Sequence, residues 1–324
     1  MKNIYGLSIS LQEEIAKELD LIDREPDIKI LPWNLKNGNL VDEATWYYHW
    51  QMPDGHIYLS GGHKKNGFYA LHYFDEHLDF AISPDGTIIY YQPLGNFETE
   101  VIRHLLLTQV IPYAMNLKGI ESLHASSVLS PSGVIAFLGK SGYGKSTLAA
   151  SLIKSGFSLI SDNVVPIYNR YGEIWTSSGP PDIGLWPKTW LFLNPSAIIE
   201  DPTEKCRLVL SKKEHTSGNF ILSHIYLLNP SEKINTVQIE FISPQESLIE
   251  LLKAAFRLDL TNNNMLQHQF SIFHRAVELV TIKKITYPES IPNPRELSSA
   301  IQFDINSSSF KNSLNLDLSA ANTK

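Results

Sequence analysis

Apolar and polar residues alternate through the first part of the chain in a pattern typical of β-strands. Residues 46–50, 57–59 and 68–74 are rich in aromatic and β-forming side chains, which suit the pleated surface of a strand. Residues 84–86, Pro-Asp-Gly, lie between two apolar runs and predict a hairpin, because proline presets φ and glycine accepts a positive φ. We therefore predict a small β-rich domain over residues 1–96.

A helical period follows the predicted β domain. Val101, Leu105, Leu106 and Val110 recur on one face of a helix, and the pattern predicts a helix over about residues 97–118 that joins the first domain to the second. The next apolar runs predict a strand over 119–129, a turn at 131–133, a strand over 133–138 and a helix over 147–155. Strands mixed with helices indicate an α/β (α+β) fold, and we assign residues 97–324 to a second domain.

A glycine-rich loop connects that strand to that helix. It matches the phosphate-binding pattern G-x-x-x-x-G-K-[ST] without a mismatch, and it comprises Gly139, Lys140, Ser141, Gly142, Tyr143, Gly144, Lys145, Ser146 and Thr147. Strand, glycine loop and helix is the context that the pattern requires. The alternative is a simple glycine turn without a ligand.

The loop residues suit a nucleotide polyphosphate. Glycines let successive backbone N–H groups turn toward an anion, and the positive end of the following helix points at it. Lys145 can meet the β- and γ-phosphates, and the Ser146 hydroxyl can coordinate Mg²⁺. The sequence therefore predicts ATP with Mg²⁺ as the ligands.

The predicted strand after the helix ends in Asp162-Asn163. In open α/β sheets, ligands lie beyond the carboxyl ends of the strands, so we expect Asp162 beside the phosphates. A carboxylate there can hold Mg²⁺ or accept a proton from an attacking hydroxyl. The alternative is an aspartate that only caps a turn.

Three further segments have both a functional and a structural interpretation. His124 is predicted in a strand beside the phosphate-loop strand, either packed or catalytic. Arg207 is either a contact to the γ-phosphate or an exposed side chain. Residues 179–190, rich in Gly, Pro and Trp, are either a loop that covers the site or a buried aromatic plug.

Composition narrows the classes of function. The chain has 27 basic and 34 acidic residues, a net charge of −7 and a pI near 5.9, which argue against nucleic-acid and anionic-membrane partners. The single cysteine, Cys206, excludes an internal disulfide and a cysteine-ligated zinc site. Without a signal-peptide core or an apolar run of membrane length, we expect a cytoplasmic protein, with a homo-oligomer possible.

Residues 123–128, 139–147 and 159–165 together resemble the C-terminal catalytic domain of HPr kinase/phosphorylase. That resemblance implies a P-loop kinase fold related to phosphoenolpyruvate carboxykinase, which uses ATP and Mg²⁺ to phosphorylate a serine. By the same resemblance, Lys145 binds phosphate, Ser146 contacts the metal, Asp162 is the base and His124 supports it.

Two departures from the family pattern bear on the substrate. The family's second acid is Asn163 here, which offers the metal an oxygen without a charge. The family's downstream Arg-Gly signature has no counterpart, and Gly179-Pro180-Pro181-Asp182 begins the segment in its place. We therefore expect HPr to be a poor substrate, and the sequence leaves the reverse phosphorylase activity open.

The order of domains is similar to that of HPr-kinase-like proteins encoded beside ribosomally made peptides, including lasso-peptide precursors. This resemblance implies an ATP-dependent kinase for a serine or threonine hydroxyl, most naturally of a precursor peptide. Two alternatives stay open at this point. One is a kinase for a small hydroxyl compound, and the other is a non-catalytic ATP-binding regulatory module, which Asn163 favours.

Overall fold

The chain folds around two large β-sheets, as a computed structural model shows. The structure describes residues 1–95, 98–194, 203, 205–289 and 294–321, with side chains as far as residue 307. Among these residues, no helix is both long and apolar enough to cross a membrane.

The first sheet has eight strands, all from the N-terminal part of the chain, in the order β1-β2-β3-β8-β7-β6-β5-β4. It confirms the predicted β-rich region, and the predicted turn at residues 84–86 joins β7 to β8 as an antiparallel hairpin. The strands are β1 Lys2–Ile4, β2 Leu7–Ser10, β3 Ile28–Pro32, β4 Thr45–Gln51, β5 Ile57–His63, β6 Tyr69–Tyr73, β7 Leu78–Ile82 and β8 Ile88–Pro93.

The predicted connecting helix is confirmed, with one irregular turn. It runs as α1 (Thr99–Leu105), a π-helical turn (Leu106–Val110) and α2 (Ile111–Leu117). Its apolar face shares one core with the first sheet, so the helix packs on the β-rich region as well as leading out of it. The proposed boundary between residues 96 and 97 lies outside the described residues, and the division into two domains stays a prediction.

The second sheet has nine strands, with β12-β10-β11-β17-β14-β13-β9 in sequence across it and β19 and β18 alongside β17. Its strands are β9 Glu121–Leu123, β10 Ala125–Ser130, β11 Gly133–Leu138, β12 Ser158–Ser161, β13 Val165–Arg170, β14 Glu173–Ser177, β17 Asn219–Ser231, β18 Gln238–Phe241 and β19 Thr281–Pro288. A separate antiparallel pair is formed by β15 (Asp182–Leu185) and β16 (Cys206–Val209).

Among the described residues, five helices accompany the second sheet: α3 Lys145–Lys154, α4 Pro187–Leu193, α5 Pro244–Ala254, α6 Asn263–Leu279 and α7 Pro294–Ala321. The alternation of side chains along β11 explains how they are arranged. Ile135 and Phe137 pack in one core with residues of α3 and α7, whereas Val134, Ala136 and Leu138 pack in another with residues of α5 and α6. Because successive residues of a strand point to opposite faces, the helices cover both sides, which confirms the α/β class.

Candidate nucleotide and phosphoryl-transfer site

Three predicted site segments meet at one edge of the second sheet. β10 lies between β11 and β12 and is antiparallel to both, so β11 and β12 run in the same direction. The register pairs Ala125 with Leu138 and Ser127 with Ser161. The carboxyl ends of β11 and β12 and the start of β10 therefore lie together, which brings the glycine loop, Asp162 and His124 to the same edge.

The glycine loop has the backbone that its sequence predicts. Gly139, Gly142 and Gly144 have φ values of 155°, 84° and 84°, in a region that side chains rarely adopt. A Cβ on Gly139 would also lie 3.2 Å from Cβ of Leu228, which is a tight contact. Helix α3 begins at Lys145 with Gly144 as its N-cap and no capping side chain, so the first N–H groups of the helix are left for another acceptor.

Lys145 is buried, and its ammonium group is hydrogen-bonded to the backbone of the glycine loop. Nζ donates to the carbonyl oxygens of Gly139, at 2.7 Å, and Lys140, at 3.2 Å. Burial lowers the pKa of Lys145 to about 8, although the nearby Asp162 carboxylate acts in the opposite direction. An anion in the loop would replace these carbonyl contacts with stronger charge-assisted ones.

Asp162 is the most highly connected polar group at this edge. Its side chain is buried, and Oδ1 accepts hydrogen bonds from the hydroxyls of Ser126, at 2.5 Å, and Ser146, at 2.9 Å. Oδ2 accepts the backbone N–H of Gly184 at 3.2 Å. Burial raises the pKa of Asp162, and the hydrogen bonds from Ser126, Ser146 and Gly184 oppose that shift.

Ser126 and the N–H of Gly184 are partners of Asp162 that were not predicted from the sequence. Ser126 lies in the segment whose family resemblance was noted, and its position in β10, one residue past the edge, is a signal that could have identified it. Gly184 gave no such signal, because its N–H reaches the carboxylate only through the packing of β15 beside the loop helix.

Asn163 follows directly and turns the chain. Its φ is 68°, a left-handed conformation that asparagine tolerates better than most residues. The amide Nδ2 lies 3.4 Å from Oδ2 of Asp162, and the Asn163 carbonyl accepts the N–H of Ala125 at 3.3 Å. The side chain therefore faces the carboxylate as a neutral group.

His124 lies at a break between two strands, which corrects its predicted place within a strand. β9 ends at Leu123 and β10 begins at Ala125, and the His124 N–H donates to the Ala254 carbonyl at 2.7 Å. The residue is exposed, yet desolvation by the surrounding protein and then the charge of Lys145 hold the pKa of its imidazole below the usual value. Within the described residues, no hydrogen bond joins its ring to Asp162.

Arg207 is paired with acidic residues, and its suggested γ-phosphate contact stays a prediction. Its guanidinium donates to Asp182 at 2.6 and 3.0 Å and to Glu18 at 2.6 Å. Asp182 also accepts a hydrogen bond from the buried Arg103 at 2.9 Å. The charge of Arg207 is therefore already compensated in a link between the N-terminal region and β15.

The Gly-, Pro- and Trp-rich segment is neither a covering loop nor a buried plug where the structure describes it. Its residues form β15 and the first part of α4. Trp186 is 51% exposed. In α4, Thr189 Oγ1 lies 3.1 Å from Oγ1 of Thr147, so the segment packs beside the helix that follows the glycine loop.

The remaining loop residues have mixed environments. Lys140 and Ser141 are exposed, and the Tyr143 carbonyl accepts a hydrogen bond from the Tyr287 hydroxyl. Among the described residues, no cluster of three His, Cys, Asp or Glu side chains forms a protein-only metal site. Ser146 and Asp162 nevertheless present adjacent hydroxyl and carboxylate oxygens, and Mg²⁺ typically takes one or two such ligands together with substrate phosphates and water. The residues present therefore suit the predicted ion.

Comparison with known proteins finds similarity among solved structures alone. No family model matches the chain, and no curated protein matches it. Among solved structures, it is similar to the Hpr(Ser) kinase/phosphatase from Coxiella burnetii, with 16% sequence identity and a TM-score of 0.32. The match covers 59% of this chain and 97% of that one.

Proposed function

We propose that this chain is an ATP-dependent kinase that transfers the γ-phosphate to a serine or threonine hydroxyl. The observation that carries the proposal is the pairing of a phosphate-binding loop with a buried aspartate. Ser146, in the first turn of the loop helix, donates to Asp162 at 2.9 Å, so a carboxylate stands directly beside the loop that we expect to bind phosphates.

Nucleotide binding would use groups that are already in position. The N–H groups at the start of α3 and the glycine backbone form an anion cradle. Lys145 would exchange the carbonyls of Gly139 and Lys140 for phosphate oxygens. A bound polyphosphate favours the ammonium form, so we expect Lys145 to be fully protonated in the complex.

Asp162 is suited to accept the proton of the acceptor hydroxyl. The hydroxyl oxygen forms a bond to Pγ, the bond between Pγ and the β-phosphate bridging oxygen breaks, and ADP leaves with that electron pair. The proton lost by the hydroxyl goes to Asp162. Burial, which raises the pKa of this carboxyl group, makes it a better proton acceptor than an exposed aspartate.

Ser146 and Asp162 would hold Mg²⁺, with the Asn163 side chain next to them. When bound, the ion supplies positive charge that neutralises the phosphates and orients them. The chain's own contribution is to fix the carboxylate, since Ser126, Ser146 and Gly184 all donate to it.

We further propose that the acceptor is a peptide, in line with the resemblance to peptide-modifying kinases. The net charge of −7 disfavours a polyanionic acceptor. HPr should be a poor substrate. Efficient phosphorylation of HPr, detected by mass spectrometry, would contradict this part of the proposal and leave the kinase assignment intact.

A second candidate is a regulatory module that binds ATP without transferring phosphate. Asn163 favours it, because a neutral amide faces Asp162 where a second carboxylate would strengthen metal binding. The two candidates differ in chemistry but not in affinity for ATP.

The test uses the purified full chain with Mg²⁺, γ-labelled ATP and a library of serine- and threonine-containing peptides. Transfer of label to a peptide, abolished in Lys145→Ala, supports the kinase. Tight ATP binding by calorimetry without transfer to any hydroxyl compound supports the regulatory module. Absence of nucleotide binding in the wild type would refute both.

A further inference from the structure

Lys205 lies beside the candidate nucleotide site, although it was not among the predicted site residues. Lys205 directly precedes β16, and its Nζ lies 5.7 Å from the ring centroid of Trp186. Its Cδ lies 3.6 Å from the position that a Cβ would occupy on Gly184. Because the Gly184 N–H donates to Asp162, the stem of this lysine packs against the residue that holds the aspartate.

The Trp186 ring and the Lys205 ammonium group form a cation–π contact. An ammonium group over an aromatic face gains about 0.5–1 kcal/mol at exposed sites, and the aliphatic stem of a lysine packs on apolar surface while its head stays in water. Lys205 forms no ion pair with any carboxylate in the part of the chain that the structure describes. The Lys205 ammonium group is therefore positioned by Trp186 and is not neutralised by a described carboxylate.

The charges around Lys205 indicate what it would bind. Lys205 lies within electrostatic range of Asp162, His124 and Lys145, although burial is the main influence on the pKa of each of these groups. With Lys145 and Lys205 positive, Asp162 negative and His124 neutral, these four groups carry a net positive charge. Two neighbouring ammonium groups repel each other, and a polyphosphate between them removes that repulsion.

Arg207 is the contrasting case. It is two residues further along the chain, and its guanidinium is already paired with Asp182 and Glu18 at 2.6 Å each. To reach a phosphate it would have to break charge-assisted hydrogen bonds of a kind that Lys205 does not form with any described carboxylate.

We propose that Lys205 is the cation that contacts the terminal phosphate of the bound nucleotide, the role that the sequence suggested for Arg207. This inference rests on the proposed nucleotide-binding function. A point charge at the terminal phosphate stabilises the negative charge of the transferred group while its bond to the β-phosphate oxygen breaks. Lys205 would thus distinguish a nucleoside triphosphate from a diphosphate.

The experiment compares binding of a non-hydrolysable ATP analogue and of ADP, both with Mg²⁺, by titration calorimetry. In Lys205→Met, which keeps an apolar stem, affinity for the ATP analogue should fall about tenfold, whereas affinity for ADP should change less than about threefold. Lys205→Arg should retain the preference for the triphosphate. Lys145→Ala should weaken both ligands, and Lys212→Met, at an exposed lysine nearby, should weaken neither.

Two outcomes would overturn the assignment, and they are distinct from failure of the proposed function. If the wild type binds both ligands and Lys205→Met keeps the preference for the triphosphate, the Lys205 assignment is wrong and nucleotide binding stands. If Arg207→Met removes that preference and Lys205→Met does not, the terminal phosphate contact belongs to Arg207. If the wild type binds neither ligand, the proposed function itself fails.

Discussion

At the residue scale, the candidate chemistry depends on how two buried ionisable groups are held. Asp162 and Lys145 both lie within the protein, and burial moves their pKa values in opposite directions, up for the acid and down for the amine. Asp162 accepts hydrogen bonds from Ser126, Ser146 and Gly184, and Lys145 donates to two backbone carbonyls. Substitutions that keep the shape of these side chains can therefore separate binding from proton transfer.

Replacement of Lys145 by alanine should weaken nucleotide binding. The variant loses a cation that would face two phosphates, and a hydrogen bond to a charged group contributes about 1.5–3 kcal/mol. We expect affinity for Mg·ATP to fall at least tenfold, measured by titration calorimetry, with unchanged far-UV circular dichroism. An unchanged affinity would contradict the phosphate-loop assignment.

Replacement of Asp162 by asparagine should lower kcat by about 10²–10⁴-fold, because the proton acceptor is lost while the shape and one oxygen are kept. The affinity for ATP should change much less, and steady-state kinetics at saturating ATP separates the two quantities. His124→Ala should lose less activity, since no hydrogen bond joins the described His124 ring to Asp162.

The opposite result for Asp162→Asn would change the assignment of the base. If Mg·ATP binding is abolished and turnover of saturated enzyme is unchanged, Asp162 serves only the metal. His124 would then be the first candidate for the base, since its lowered pKa keeps the imidazole neutral near pH 7, although the same shift makes it a weaker base than an ordinary histidine.

At the element scale, the site depends on strands that are distant in sequence but neighbours in the sheet. β10 lies between β11, which leads into the glycine loop, and β12, which directly precedes Asp162. Because β10 is next to β12, the Ser126 hydroxyl of β10 can donate to the Asp162 carboxylate. The edge strand β12 is in turn covered by residues 214–216, since Leu159 bonds to Glu214 and Thr216 through its backbone. This covering segment includes a buried histidine.

His215 should make the stability of the fold depend on pH. Its Nε2 lies 3.1 Å from the Gly179 carbonyl oxygen, and because a carbonyl can only accept, Nε2 carries a proton. Burial lowers the pKa of His215 below its usual value near 6.5. Below about pH 6.5 the unfolded chain therefore binds a proton that the folded chain does not, and this group's contribution to stability falls as pH decreases.

His215→Gln keeps a donor for Gly179 and removes the titration. Relative to the wild type, the variant should lose less unfolding free energy between pH 7.5 and 5.5, by at most about 1.4 kcal/mol per pH unit. Guanidinium titrations at both pH values measure this, with His274→Gln at an exposed helix position as the control. Equal pH dependence in all three proteins would show that His215 is protonated in the folded state.

At the scale of the whole molecule, Asp182 links the N-terminal region to the site. It accepts hydrogen bonds from Arg103, in the helix that packs on the first sheet, and from Arg207 of β16. Two residues further along β15, the Gly184 N–H donates a hydrogen bond to the Asp162 carboxylate. The first region is thereby joined to the candidate catalytic carboxylate through one short strand.

Asp182→Asn should destabilise the protein, because Arg103 is buried and would lose its only carboxylate partner at hydrogen-bond distance among the described residues. We expect a loss of about 1.5–3 kcal/mol in the free energy of unfolding, measured by chemical denaturation. Glu18→Gln, which removes a partly exposed partner of Arg207, should cost less than about 1 kcal/mol. Similar losses in both variants would contradict a special role for Asp182.

The sequence by itself determined the parts of this protein that depend on neighbouring residues. The strands near residues 46–50, 57–59 and 68–74, the hairpin at 84–86, the connecting helix and the strand-loop-helix around Gly139 follow from local periodicity and from glycine conformations. Asp162 could be placed at the sheet edge because it follows the next strand along the chain.

Tertiary structure decided which groups meet Asp162 and which cation is available for a phosphate. Ser126 and Gly184 are 36 and 22 residues away from it in sequence, and only the strand order and the packing of β15 bring them together. Arg207 and Lys205 look alike in sequence as basic residues near β16. The first is paired with Asp182 and Glu18, and the second rests on Trp186, because charge compensation depends on neighbours that the sequence does not reveal.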